Sequence, residues 1–469
     1  MEREPLVDFR GRIVMVGFGS TGQGTLPLLL RHVVGRDRVL VVAPDRADIE
    51  AARAEGVSTR EVALAPDNYG ALLVPELRPG DMVVNLSVGV SSCDLIALCQ
   101  QRGALYLDTS VEPWHGTYTD ASLPAATRTN YALREAALAL RRPGARQPTA
   151  LLTHGANPGL ASHFVKQALL DIARDSGDAA EPPGDREGWA RLAERLGVRV
   201  IHVAERDTQL PEPRKRPGEF VNTWSVDGFV SEGSQPAELG WGTHEKTLPP
   251  RGHRFDFGPQ NAIYMLQPGA STRVRTWTPK AGPFHGFLIT HGESISIPDY
   301  FSHREGGKVV YRPTAHYSYH PSQDAVLSVH EFAGRNWHLQ ERKRILNAEI
   351  IEGIDELGVL LAGHKKNAYW YGSQLSIDEA RKLVPHNTAT SLQVCVAVLS
   401  GMVWAMENPQ RGVTEPDEMD FRRNLEVCMP YLGPVVGAYT DWTPLYQRGE
   451  LFEEDLDRSD PWQFKNVLV

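Results

Sequence analysis

The stretch Ile13 to Thr25, IVMVGFGSTGQGT, constrains the fold more than any other part of this 469-residue chain. Four apolar β-formers run straight into Gly17-Phe18-Gly19-Ser20-Thr21-Gly22, and Leu26, Leu28, Leu29 and Leu30 continue in a helical pattern. Strand, tight turn and helix N-terminus in that order are the setting in which G-x-G-x-x-G holds a dinucleotide. Gly17 permits the turn. Gly19 lets a pyrophosphate approach the backbone, and Gly22 lets helix and strand pack closely. Ser20 and Thr21 open the helix, whose free N–H groups suit phosphate.

Arg38 to Ala43 is a continuous apolar run suited to a buried parallel strand. Asp45 follows it, 23 residues after Gly22, near the spacing of an acid on a ribose 2′-hydroxyl. Arg46 beside it could meet a 2′-phosphate. NAD is favoured over NADP, and a surface turn or helix cap is the other task open to Asp45. Helix-like and strand-like segments then alternate: 51–56, 61–64, 68–77, 81–87, 94–101 and 104–109. This predicts an α/β fold with a Rossmann-type doubly wound parallel sheet, whose ligands sit at the strands' carboxyl ends. Asn85, Ser87, Asp108 and Thr109 stand at such ends.

The Pro/Gly/Arg run at 141–146 marks a boundary. We expect a dinucleotide domain over 1–145, a catalytic domain over 146–400 and a C-terminal helical and irregular segment over 401–469 that packs back on the first. Beyond the boundary, the strand Thr149 to Thr153 ends in His154-Gly155-Ala156-Asn157-Pro158-Gly159 before a helix over 160–174. That places Gly155, Ala156, Asn157 and Pro158 beside the cofactor. Short β-like runs over about 195–335 predict a second α+β domain with a mixed or antiparallel sheet, and helices are expected at 376–384 and 389–407.

Net charge is −9 with no evident basic face, so nucleic acid is not an expected partner. The first residues, MEREPLVDFRGR, lack an apolar leader core. Cys93, Cys99, Cys395 and Cys428 follow neither C-x-x-C nor a zinc spacing. Together these point to a cytoplasmic protein. The apolar segment 392–406 is broken by Ser400-Gly401, which predicts a buried helix or subunit interface and no membrane span. His316 and His320 are four apart but in a β-like context without a third ligand, and no metal is expected.

Glu112 follows the strand end at Asp108-Thr109. Glu205 follows the apolar run Val200 to Ala204, and Trp224 and Glu232 lie in Asn222 to Gly233. Acids near strand ends with a tryptophan between them suit a cationic amine. Carboxylates pair with the ammonium, and an indole face attracts it by ~2 kcal/mol or more when desolvated.

The segments IVMVGFGSTGQGTLPLLLRH, VEPWHG, GANPGL, HVAERDTQ, NTWSVDGFVSEGSQPAELGWGTHE, LQPGASTRVRTWTP, THGESISI, KNAYWYGSQLS and DPWQFKNVLV occur in the same order as in the bacterial homospermidine synthases, which the chain resembles nearly end to end. The resemblance implies a saccharopine dehydrogenase-like protein, a homodimer with tightly held NAD, and formation of homospermidine and ammonia from two putrescines, with spermidine use left open. It also implies an amine site of Glu112, Asn157, Glu205, Trp224, Glu232 and His291, the last in a proton-handling or polar-contact role. The chain departs from the family pattern at Gly89 and Ala43. Two rivals stay open: a net oxidoreductase, in which Arg273 or Arg275 would hold a substrate carboxylate, and a binding protein without turnover.

Overall fold

The computed structural model describes residues 4–142, 144–178 and 181–469. Two sheets organise it. The first is parallel: β1 (Ile13–Val16), β2 (Val39–Ala43), β3 (Ser58–Glu61), β4 (Met82–Asn85), β5 (Leu105–Asp108) and β6 (Ala150–Leu151) lie in the order β6-β5-β4-β1-β2-β3. Strand Val413–Thr414 adds to the β6 edge. β1 is buried along its whole length between β2 and β4, which is why it reads as an unbroken apolar run. The chain changes direction between β1 and β4, and such a switch point leaves a crevice at the strand ends.

The second sheet is mixed. Its centre runs Pro236–Gly240, Thr314–His320, β7 (Val200–Asp207), Ile354–His364, Asn367–Ser376 and Val435–Thr440. Thr314–His320 is parallel to β7, and Ile354–His364 is antiparallel to it. The expected doubly wound sheet and mixed second sheet are both present. The expected segmentation differs. Residues 401–469 do not form one unit packed on the first domain: 413–414 completes the first sheet and 435–440 widens the second. β6 likewise lies beyond the boundary placed at 145. Pro143, inside the expected linker, is outside the described residues, as are residues 1–3.

Helix Ala389–Glu407 joins the two halves. Its residues are buried almost throughout, although by length and hydropathy alone it could cross a membrane. It packs on α1 (Ser20–His32). A Cβ added at Gly24 of α1 would lie 2.6 Å from Cys395 Sγ. Ser400-Gly401 does not interrupt this helix; a Cβ at Gly401 would lie 2.7 Å from His154 Nδ1, so the glycine lets that ring approach Ala397 O at 2.9 Å. All four cysteines are unpaired.

Candidate active site

A cleft of about 1020 Å³ opens where the carboxyl ends of β1, β4 and β5 face the second sheet. Gly17 sits at φ +87°, and a Cβ there would lie 2.8 Å from Ser87 N, so the turn tolerates only glycine. A Cβ at Gly19 would meet nothing within 4 Å: this side of the turn is open. Gly22 packs against Gly17 O and Phe18. The N-terminus of α1 has no side-chain cap, and Gly19, Ser20 and Thr21 line the cleft. Uncapped helical N–H groups beside an open glycine form a cradle that fits a pyrophosphate.

The other residues proposed for cofactor binding divide by place. Ser87, Thr109, Gly155, Ala156, Asn157 and Pro158 line the cleft. Asn85 and Asp108 stand behind the wall and brace it. Asn85 Oδ1 accepts from Ser87 Oγ at 2.6 Å. Asp108 Oδ1 accepts from Thr153 N at 2.6 Å and Oδ2 from Tyr106 at 2.9 Å; burial pushes its carboxyl up to about 7. Asp45 is exposed and outside the cleft lining. Its Oδ1 caps α2 (Arg46–Ala54), accepting from Ala47 N at 2.8 Å and Asp48 N at 3.3 Å. Arg46 pairs with Glu50 on the surface at 2.9 Å.

The six residues proposed for an amine come together in this cleft, brought from well-separated parts of the chain. Glu205, on β7, is buried. Its Oε2 accepts from Tyr317 OH at 2.6 Å and from Asn157 Nδ2 at 3.0 Å. Burial pushes this carboxyl up to about 7 against the pull of those two donors, with the charge of Asp207 adding to the rise. Glu112 accepts from Gly89 N at 3.2 Å, and burial pushes it up to about 8. Gly89, where the family pattern differs, thus contributes a backbone donor.

His291 lies between two carboxylates. Nε2 is 3.1 Å from Glu232 Oε2 and Nδ1 is 3.3 Å from Glu293 Oε1. Burial opposes its charge, but Glu293 and Glu232 outweigh that and raise the imidazole to about 10. Each ring nitrogen thus faces a carboxylate, an arrangement that favours the charged imidazole and places the ring in a polar contact of the kind expected of it.

Several members of the site were not foreseen. Tyr317 binds Glu205 and stacks on His291 with centroids 4.3 Å apart. Glu293 is fully buried, and its Oε2 has no hydrogen-bond partner. Asp355 stands across from Asp207 on the neighbouring strand; burial raises its carboxyl, and the charges of Glu205 and Asp207 raise it further. Thr390, Ser391 and Val394 bring the start of helix 389–407 into the lining. A threonine followed by a polar residue three on, Thr388 and Ser391, is a helix-start signal, and both arms of that capping box are formed.

His316 and His320 are not a metal pair. His320 Nδ1 bonds Arg206 at 2.9 Å. His316 is buried against His202 on the sheet face away from the cleft, and burial lowers it to about 3. The intervening Tyr317 and Tyr319 serve the cleft instead. Arg273 lies over Phe287 and Arg275 bonds Leu468 O. Neither reaches the cleft, whose described lining includes no lysine or arginine.

Residues 13–151 match the model for the saccharopine dehydrogenase NADP binding domain, and residues 155–440 match that for the saccharopine dehydrogenase C-terminal domain. A homospermidine synthase of Blastochloris viridis is 56% identical over 464 residues, covering 98% of this chain and 97% of the relative. One of Mesorhizobium japonicum is 54% identical over 470 residues, covering 98% and 97%. The crystal structure of a homospermidine synthase from Legionella pneumophila in complex with NAD superposes with a TM-score of 0.93 at 47% identity, covering 100% of this chain and 99% of that one.

Proposed function

The chain belongs to the homospermidine synthases of the saccharopine dehydrogenase-like family, and on that premise we propose that it converts two putrescines to homospermidine and ammonia with NAD and no net redox change. The observation that carries this reading is the lining: three glutamates and a tryptophan face the cleft, with no described lysine or arginine. Such a wall suits a diamine dication. It offers no described lysine or arginine to the substrate carboxylate that a saccharopine-type coupling carries, and His291 is already engaged by Glu232 and Glu293.

NAD, when bound, supplies a reversible two-electron acceptor, so that one putrescine is oxidised to an imine, exchanges ammonia for a second putrescine, and is re-reduced. The glycine turn and the N–H groups of α1 would hold its pyrophosphate. The remaining work falls to the chain's own side chains, and it is an acid–base problem. A primary amine has a pKa near ~10.4, and freeing its lone pair at pH 7 costs ~4.6 kcal/mol. A neighbouring carboxylate makes this worse; a neighbouring cation or burial makes it easier.

The site is asymmetric in this respect. Trp224 and the glutamates hold the remote ammonium. The reacting end lies near the nicotinamide, with His291 and Asn157. Charge does not favour its deprotonation there, because Glu232 binds His291 and Glu205 binds Asn157; desolvation in the cleft is what lowers the pKa of that end. The same acids and indole face then stabilise cationic iminium species once they form.

The test is to incubate the protein with NAD and putrescine and identify the polyamine by mass spectrometry, following reduced nicotinamide by absorbance. Homospermidine without stoichiometric absorbance change is the expected result. A stoichiometric change would support a net oxidoreductase, and binding without product a sensor. Spermidine as a second substrate belongs in the same assay. The reading includes a homodimer, for which light scattering is the check.

A further inference from the structure

We infer that Tyr319 is a positioning residue that sets the plane of the Trp224 indole; this rests on the reading above and names what presents the aromatic face to the substrate ammonium. Tyr319 stands on strand Thr314–His320, opposite Glu205 in register, and is fully buried. Its ring is held on two sides. Tyr317 stacks on it with centroids 5.3 Å apart at 16°, and Phe229 meets it edge-on at 5.6 Å. Its hydroxyl reaches Trp224, accepting from Nε1 at 3.1 Å.

Trp224 is held at its other end too. A Cβ at Gly228 would lie 3.0 Å from Trp224 Cζ3, so the benzo edge rests on the first turn of helix Val226–Ser234. The indole nitrogen is a donor only, and a buried indole N–H needs an acceptor. Tyr319 supplies it from a ring that is itself packed in place. Attraction of an ammonium to an indole requires the cation over the ring face. An indole tethered at one end and seated on a glycine at the other keeps that face toward the cleft before substrate arrives.

Tyr319→Phe removes one oxygen and leaves the packed ring. The experiment compares wild type, Tyr319→Phe, Trp224→Phe and the double variant, each with NAD. One readout is the near-ultraviolet circular dichroism of Trp224, obtained by subtracting each Trp224→Phe spectrum from its parent. The other is the split between KM for putrescine and kcat. Tyr319→Phe is expected to shrink the Trp224 difference band and raise KM about fivefold, the worth of roughly one net hydrogen bond. In the Trp224→Phe background it should not raise KM further.

An unaltered difference band, or the same KM increase in both backgrounds, overturns the inference. Should Tyr319→Phe fold poorly, Gly228→Ala crowds the other end of the indole and must move the same band; no movement there also overturns it. The band needs no turnover. A wild type that makes no homospermidine would refute the substrate reading while leaving the answer on Tyr319 legible.

Discussion

The Tyr317 hydroxyl donates to Glu205 Oε2 at 2.6 Å, across two strands paired in parallel. With Asn157 as a second donor, this bond favours the ionised carboxylate. Burial wins nevertheless and pushes the carboxyl up to about 7. Glu205 can thus change charge close to working pH, which most surface acids cannot.

For the free enzyme, kcat/KM should rise with pH as Glu205 (about 7) and Glu112 (about 8) ionise and become able to hold ammonium. Glu205→Gln should remove the lower part of the rise and Glu112→Gln the upper. A profile unchanged in both variants would assign the rise to the amine instead.

His291→Ala should destabilise the fold by about 3–5 kcal/mol, because it leaves Glu293 buried without its cation. Adding Glu293→Gln should recover part of that loss. Denaturant midpoints of the two variants check this, and equal midpoints would mean the clamp is not the source of the cost.

Asp45 is exposed and binds the α2 N-terminus through Oδ1. Asp45→Ala should lower stability by ~1 kcal/mol through loss of the cap. Asp45→Ser keeps a capping oxygen and removes the charge. If the acid also binds ribose, the serine variant raises KM for NAD at unchanged stability. If it only caps, KM stays put.

Trp224 should rank Trp above Phe above Ala in turnover, because the indole face attracts a cation more strongly than phenyl. Trp224→Glu replaces that face with a charge that raises the amine pKa, and should be poorest in turnover even if it binds substrate. Equal activity in all three variants would remove the aromatic contribution.

Stability should fall as pH rises from about 7 to 9, above the range in which the buried neutral histidines His154, His316 and His364 act in the opposite direction. Asp108 (about 7), Glu112 (about 8), Glu205 (about 7) and Glu238 (about 7) keep protons in the folded chain that the unfolded chain releases near 4–4.5. In that window the native state binds more protons, so the slope of unfolding free energy with pH is negative. His291, raised to about 10, acts in the same direction: its stabilisation is full below ~6.5 and is lost toward 10. Glu112→Gln should flatten the dependence in urea midpoints at pH 7, 8 and 9; a wild-type midpoint that does not fall over that range would count against the buried, protonated acids.

Much of the first domain was legible because its signals are local. Four apolar residues before Gly17 describe β1, and the helix at 389–407 was read to the residue. The strand expected at 149–153 shrank to Ala150–Leu151, since the chain turns early to place Gly155 to Pro158 at the cleft. In the HYSYH run the spacing of the histidines is what the sequence displays, and the tyrosines between them carry no local signal of a site role. Strand alternation places the tyrosines on the cleft face and His316 on the other, and that face assignment depends on pairing with β7, more than a hundred residues earlier.

By itself the sequence determined the dinucleotide turn and the alternating first domain, and it singled out the acids and tryptophan that meet in the cleft. Each is written in residue type and short spacing. Only the tertiary structure decided that His291 sits between Glu232 and Glu293, that Asp45 caps a helix, and that Tyr317 and Tyr319 tie Glu205 to Trp224. The reason is physical. Protonation follows burial and the charges brought alongside, and hydrogen-bond partners follow strand register; both are set by long-range packing, to which local periodicity is blind.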